Sequence, residues 1–214
     1  MKSVVLIPVI HSAADLGSLA ESVREHYLTR YGPAAWGRRE QAVAAIWAEI
    51  ARRIDRLGLD YGKTRIYQDG LPVCGQELGI VEKLAAAGST NHQIVLDLVH
   101  RGAALVGTED PRLLIREYQM HREQLGAGQP GGVAGMPGAM PTSSWACDEH
   151  GHEDVAMPPG PSAEAVALLE ARDRFIAQRI AETLQDGQTG LLFLGAAHRI
   201  DGLMSPDILV YPLD

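Results

Sequence analysis

Four residues that can bind a metal or transfer a proton each follow a short segment predicted to be a buried strand: His11, Asp69, Glu109 and His198. In a parallel α/β sheet, ligands bind outside the carboxyl ends of the strands, so we expect these side chains to converge. Two neutral imidazoles with one or two carboxylates form a ligand set preferred by Zn, Mn or Fe, with positions left open for water. A divalent metal ion there would lower the pKa of bound water and provide a nucleophile. The pattern predicts a metal-dependent hydrolase of an ester, amide or peptide bond.

Each of these residues also has a structural interpretation that the sequence leaves open. A histidine beside a strand is often only a hydrogen-bonded structural residue, although His11 and His198 each end the most apolar strand of their half of the chain. Glu109 precedes the helix that Pro111 starts, where an acidic residue is favoured by the helix dipole. Asp69 lies in Gln68-Asp69-Gly70, which is a common turn sequence.

The elements that must position these residues follow from hydrophobic periodicity. Apolar or β-prone runs predict strands over 4–10, 64–68, 103–106, 191–194 and 208–211. Periodic apolar stripes predict helices over 12–27, 43–57, 76–87, 92–101, 111–125 and 162–184. Short apolar strands that alternate with helices indicate a three-layer α/β fold, with a mainly parallel sheet and helices on both faces.

The first strand and the first helix carry local signals of their own. Because proline has no backbone donor, Pro8 predicts a bulge in the first strand or a position at the edge of the sheet. Ser12-x-x-Asp15 has the form of a capping box, which predicts a helix directly after His11.

Composition changes between Gly126 and Pro161, where 36 residues contain eight glycines and six prolines. This segment is too long for an ordinary connection, so we expect one domain over 1–214 with 126–161 as a flexible, lid-like insertion. It contains Cys147, His150 and His152 among four carboxylates, and we interpret this cluster as a solvated acidic loop. A lid that brings one of these residues to the site on closure stays open as an alternative.

The last third of the chain resembles the TraB/TIKI and ChaN/erythromycin-esterase-like superfamily. The helix 172–180 with its arginines, the apolar strand 191–194 and Gly195-Ala196-Ala197-His198 are similar to a segment of that superfamily. The first strand with His11, and Val106-Gly107-Thr108-Glu109, are similar to two further motifs. The resemblance implies site roles for His11, Glu109, Arg172 or Arg174, and His198. It names no substrate, because the superfamily includes metal-dependent proteases, an antibiotic esterase and a haem-binding member.

These observations together give a first hypothesis with named roles. His11, Glu109 and His198 would hold a divalent cation, and Asp69 or Glu77 would act as general base. Arg172 or Arg174 would stabilise the developing oxyanion of a small-molecule or peptide substrate.

Two hypotheses from other classes stay open. The histidines could ligate haem, another tetrapyrrole or a small ligand without catalysis, an alternative supported by methionines in the insertion, which are Met136, Met140 and Met157. The insertion could instead order on contact with a protein partner. The sequence does not fix the oligomeric state, and a homo-oligomer is compatible with it.

Composition excludes several other classes. A net charge of −8 without a Lys/Arg-rich run, and 5% aromatic residues, argue against nucleic acid as the partner. No apolar run reaches the roughly 20 residues of a membrane helix, so we expect no membrane span. Two cysteines fit a reducing compartment, and we expect a cytoplasmic protein. The serine-hydrolase motif G-x-S-x-G and the dinucleotide motif G-x-G-x-x-G are absent from the sequence.

Overall fold

The computed structural model describes residues 1–12, 14–15, 20–126, 161–200 and 202–214. Its strands, in chain order β1 to β5, are Lys2–Val9, Thr64–Gln68, Ala104–Val106, Thr189–Gly195 and Ile208–Pro212. Its helices, in chain order α1 to α5, are Ala20–Arg56, Glu77–Ala86, Thr90–His100, Pro111–Gly126 and Ala163–Thr183. The strands form one sheet in the order β3-β2-β4-β1-β5, and every pair is parallel.

Helices cover both faces of this sheet, so the predicted three-layer α/β architecture is confirmed. On one face α1, α2 and α3 pack against strand residues that include Ile7, Ile66 and Phe193. On the other face α5 packs against residues that include Val4 and Leu192, and α4 lies beside α5. The central strand β4 is therefore apolar at consecutive positions, as parallel strands covered on both sides usually are.

The strand order places a topological switch point between β2 and β4. After β2 the chain enters β3, which is the next strand on one side. After β4 the chain passes β1 and enters β5, on the opposite side of the sheet. Neighbouring loops turn away from each other at such a point, which leaves a crevice at the carboxyl ends of the two strands. Asp69 follows β2, and the turn that contains His198 follows β4.

All five predicted strands and the predicted boundary between α2 and α3 are confirmed within one to three residues. The prediction for Pro8 is wrong, because β1 lies between β4 and β5 and is continuous. Pairing of β5 with β1 ends at Leu6, whose carbonyl accepts from Leu213. Backbone groups of residues two apart in a strand point to the same side. The nitrogen of Pro8 therefore points, like the carbonyl of Leu6, to the side on which β5 lies, at a position that the pairing with β5 does not reach. No ladder bond is lost there.

The helix predicted over 43–57 forms the last part of α1, which begins much earlier. The helical backbone extends from Ala20 to Arg56 and is interrupted by a kink at Gly32. Gly32 has a φ of 79° and ψ of 167°, and Pro33 follows it. Such a left-handed φ is open to glycine at little cost, so the sequence tolerates a sharp kink here.

The segment after β1 is held by α1 and α3. Trp47 Nε1 donates to the carbonyl of Ile10 at 3.0 Å, and Arg39 donates to the carbonyl of His11 at 3.2 Å. The Asp15 carboxylate accepts from the backbone nitrogen of Ser12 at 2.6 Å, as in the predicted capping box, but the first α-helix that the structure describes begins at Ala20 and not directly after His11.

Asp15 also reaches the first turn of α3. Its second oxygen accepts from the hydroxyl of Ser89, which caps α3, and lies 3.4 Å from Nδ1 of His92. Its side chain is only 2% exposed. Burial alone would raise the pKa of Asp15, but its hydrogen bonds to His92, Ser89 and Ser12 outweigh this effect and lower the pKa to about 2. Asp15 therefore ties the segment after β1 to α3.

Residues 127–160, and with them Cys147, His150, His152 and most of the predicted insertion 126–161, lie outside the described residues. Strands from both sides of this segment lie in the same sheet. Among the helices that the structure describes, none combines the length and hydrophobicity needed to cross a membrane.

We predict that Asp15→Asn lowers the free energy of unfolding at pH 7 by about 2 kcal/mol, which is the linkage equivalent of the shift in pKa. The contribution of a carboxylate with a lowered pKa is fully present above its unfolded pKa of 3.8 and is lost as pH falls towards about 2. Urea unfolding between pH 2 and 7 measures this, and Asp15→Asn should flatten the curve below pH 4. Asp97→Asn, at an exposed position of α3, is the control. Equal loss of stability in both variants would contradict the prediction.

Candidate metal centre

Backbone hydrogen bonds join the ends of β2, β3 and β4 into one structure. The nitrogen of Asp69 donates to the carbonyl of Phe193, and Asp69 Oδ2 accepts from the nitrogen of Gly195 at 3.0 Å. The nitrogen of Glu109 donates to the carbonyl of Leu71, and the Glu109 carboxylate accepts from the nitrogen of Gly70 at 3.2 Å. These bonds hold Asp69 and Glu109 at the carboxyl ends of the strands, where both residues are buried.

A buried guanidinium holds the two carboxylates. Arg172 on α5 donates from Nη2 to Asp69 at 2.8 Å and to Glu109 at 2.5 Å, and from Nε to the other oxygen of Glu109 at 2.8 Å. Its Nη1 donates to Glu117 on α4 at 2.5 Å. The Arg172 side chain is 2% exposed and Glu109 is fully buried. One cation therefore links carboxylates from the ends of two strands and from a neighbouring helix.

His198 completes the cluster from the turn after β4. Its Nδ1 lies 2.5 Å from Oδ1 of Asp173, and the nitrogen of Arg199 donates to Oδ2 of the same aspartate at 2.9 Å. Its Nε2 lies 3.3 Å from Oδ1 of Asp69 but makes no hydrogen bond within the described part of the chain. The side chain of His198 is fully buried, so this nitrogen is a polar atom without a hydrogen-bond partner in the core.

Electrostatics within the cluster follow from burial and from the excess of carboxylates. Burial alone would raise the pKa of Asp69, but the nearby charges of His198 and Arg172 hold this pKa well below its usual range. Burial raises the pKa of Glu109, and Arg172 only partly opposes that shift. Burial lowers the pKa of His198, but Asp173 and Asp69 outweigh it and raise this pKa to about 9.

Three of the predicted residues come together as a group that could hold a metal ion. One ligand atom each from Asp69, Glu109 and His198 lies within 4.8 Å of the other two. The two carboxylates and one imidazole are a ligand set for Zn, Mn or Fe. The expectation that strand ends converge is therefore met for β2, β3 and β4.

The other predicted residues lie outside this group. His11 is half-buried after β1, and its one hydrogen-bond partner among the described residues is Arg39, which donates to its backbone carbonyl. Glu77 accepts from the backbone nitrogens of Cys74 and Gly75, so it braces the loop that precedes α2. Arg174 is 62% exposed and lies 3.8 Å from Glu170 on the same helix. Of the two arginines proposed from the resemblance, the cluster contains Arg172.

Asp173 and Glu117 belong to the cluster but were not predicted from the sequence. A signal for Asp173 existed, because Arg172 and Asp173 continue the spacing of Leu169, Ile176 and Ile180, which form the core-facing stripe of α5. Charged residues on such a stripe must be paired in the core. Glu117 has no comparable signal, because it is one of many charged residues of α4.

The haem hypothesis depends on accessible histidines, which His198 does not provide. Its imidazole is fully buried between Asp69 and Asp173. The methionines that support that hypothesis, Met136, Met140 and Met157, lie outside the described residues. No observation on the described residues favours a tetrapyrrole.

No protein-family model, curated protein or solved structure matches the chain significantly. The functional interpretation therefore depends on the geometry of the site.

We predict that Arg172→Met lowers the free energy of unfolding by about 3–5 kcal/mol, because it leaves buried carboxylates without a cationic partner. Urea unfolding in the presence of a chelator measures the change. The control is Arg174→Met, two positions along α5, where exposure of the side chain limits the effect to about 0.5 kcal/mol. A similar, small effect of both substitutions would refute the role assigned to Arg172.

We also predict that Gly107→Ala is destabilising by about 1–3 kcal/mol, as overpacking usually is. A Cβ at Gly107 would lie 2.8 Å from Oε1 of Glu77 and 2.9 Å from the Cα of Val73, so the loops after β2 and β3 would have to separate. Gly79→Ala is the matched control, because a Cβ there meets no atom within 4 Å and Gly79 lies in α2. Thermal unfolding should show a lower Tm for Gly107→Ala only, and an unchanged Tm would contradict the close packing.

Proposed function

We propose that Asp69, Glu109 and His198 bind a divalent metal ion and that the protein is a metal-dependent hydrolase of an ester, amide or peptide bond. The observation that carries the proposal is the buried Nε2 of His198, which makes no hydrogen bond with any described residue and lies within reach of two carboxylates. Unpaired polar atoms are rare in protein cores, so such an atom beside two carboxylates favours a bound cation.

The charge of the cluster supports the same proposal. Three carboxylates, from Asp69, Glu109 and Glu117, bind the single guanidinium of Arg172, and a fourth, from Asp173, pairs with His198. An excess of buried negative charge is costly unless cations or protons balance it. Burial raises the pKa of Glu109, and Asp173 and Asp69 raise the pKa of His198, so without a metal ion a proton on His198 offsets part of this negative charge. A cation that binds Nε2 below pH 9 displaces such a proton, and its affinity rises with pH.

The residues of the cluster have separate roles in this proposal. Asp69, Glu109 and His198 are ligands, so Asp69 replaces His11 in the set expected from the sequence. Arg172 keeps the two ligand carboxylates together through three of its four hydrogen bonds. When bound, the metal ion would supply a water of lowered pKa and polarise the bond to be cleaved. The substrate is a small molecule or a peptide.

Equilibrium dialysis of the purified chain against Zn²⁺ or Mn²⁺, followed by elemental analysis, tests the metal site. We expect about one ion per chain in the wild type and a much lower content in His198→Ala and Asp69→Asn. The control is His100→Ala, because His100 is exposed at the end of α3. Thermal unfolding provides a second readout, since an ion that binds only the folded state raises Tm. Equal, near-zero metal in the wild type and in His198→Ala would overturn the metal site.

Hydrolysis is tested separately on the metal-loaded protein. Chromogenic esters, anilides and a mixed peptide library are the substrates, and we expect turnover that a chelator abolishes and added metal restores. The same loss in His198→Ala, assayed in the same excess of metal, would tie activity to the cluster. Metal binding without turnover of any of these substrates would remove the hydrolase and leave a metal-binding protein.

A further inference from the structure

The aspartate beside His198 has no other charged partner among the described residues. Asp173 is 3% exposed, and His198 is its one ion-pair partner in that part of the chain. A buried carboxylate is stable only when its charge is paired and its oxygens accept hydrogen bonds. Asp173 meets both conditions through His198 and through the backbone nitrogen of Arg199.

Each oxygen of Asp173 fixes a different part of the turn after β4. Oδ2 holds the backbone at Arg199, and Oδ1 contacts Nδ1 of the imidazole at 2.5 Å. With Nδ1 engaged, the imidazole presents Nε2 on its opposite side, where Oδ1 of Asp69 lies at 3.3 Å. The two contacts together define both the position and the rotation of the ring.

Neighbouring residues of one helix thus serve two different parts of the cluster. Successive side chains on a helix point about 100° apart, and Arg172 and Asp173 bind different partners here. Arg172 contacts the carboxylates of Asp69 and Glu109, whereas Asp173 contacts His198. The orientation of α5 therefore sets the carboxylate ligands and the imidazole ligand at once.

We infer that Asp173 is a positioning residue of the proposed metal site, which holds the Nδ1 proton of His198 and thereby directs Nε2 to the ligand carboxylates. This inference rests on the proposed function. Histidines that bind metals commonly donate their second ring N–H to a carboxylate, which fixes the ring and increases its basicity. The role is distinct from ligation, because Asp173 lies on the other side of the ring from Asp69.

The test uses NMR of the full chain labelled with ¹⁵N-histidine, together with Zn²⁺ affinity from competition with a chromophoric chelator. In the wild type we expect a downfield, slowly exchanging proton on Nδ1 of His198, assigned by its loss in His198→Gln. Asp173→Ala should remove this resonance and weaken Zn²⁺ binding about 10–100-fold. Asp173→Asn should shift the resonance upfield and weaken binding about tenfold, because a neutral acceptor is weaker than a carboxylate.

Glu170→Gln is the control on the same helix, since Glu170 is 62% exposed and lies outside the cluster. It should leave both readouts unchanged. The inference is overturned when Asp173→Ala retains the Nδ1 resonance, or when it binds Zn²⁺ as tightly as the wild type does. If Asp173→Ala does not fold, an unchanged resonance and affinity in Asp173→Asn would overturn it instead.

The NMR readout keeps this inference separate from the proposed function. A wild type without Zn²⁺ affinity would contradict the metal site, and the dependence of the Nδ1 resonance on Asp173 would then alone decide the positioning claim. A wild type that binds Zn²⁺ with an affinity independent of Asp173 would contradict the positioning claim and leave the metal site standing.

Discussion

The structure at the carboxyl edge of the sheet depends on one buried ion-pair network around Arg172. Asp69 and Glu109 end neighbouring strands, and without a cation between them two buried carboxylates would repel each other. Arg172 supplies that cation from α5, and Glu117 ties it to α4. The network therefore joins the sheet to the two helices of one layer, and the same contacts that stabilise the fold also assemble the candidate ligands.

The sequence was sufficient to predict this edge because strand ends are local features. Asp69, Glu109 and His198 each follow a short run whose hydrophobicity predicts a strand, and parallel strands end at one edge. The fold class followed from the alternation of such runs with amphipathic helices. Neither step required knowledge of which strands are neighbours.

Strand order is what the sequence did not provide, and it accounts for the remaining differences. Insertion of β4 between β1 and β2 brings His198 beside Asp69, whereas His11 follows a strand one position further from β2. The same order places β1 inside the sheet, which Pro8 tolerates only because β5 is short. These are long-range relations between elements, and local hydrophobic patterns carry no information about them. Asp173 differs, because its place on the apolar stripe of α5 was visible in the sequence.

Helix α5 contributes both to stability and to the candidate ligand site, because Arg172 binds the carboxylates of Asp69 and Glu109 and Asp173 contacts His198. A chain selected only for stability could have apolar side chains in place of this network, because buried ion pairs contribute little net stability compared with hydrophobic packing. The chain instead keeps one guanidinium, four carboxylates and an imidazole whose Nε2 lacks a hydrogen-bond partner among the described residues. A cation at Nε2 would pair this atom and balance the excess negative charge, and it would leave the contacts of Asp173 unchanged. The metal site proposed above would account for so costly an arrangement in the core.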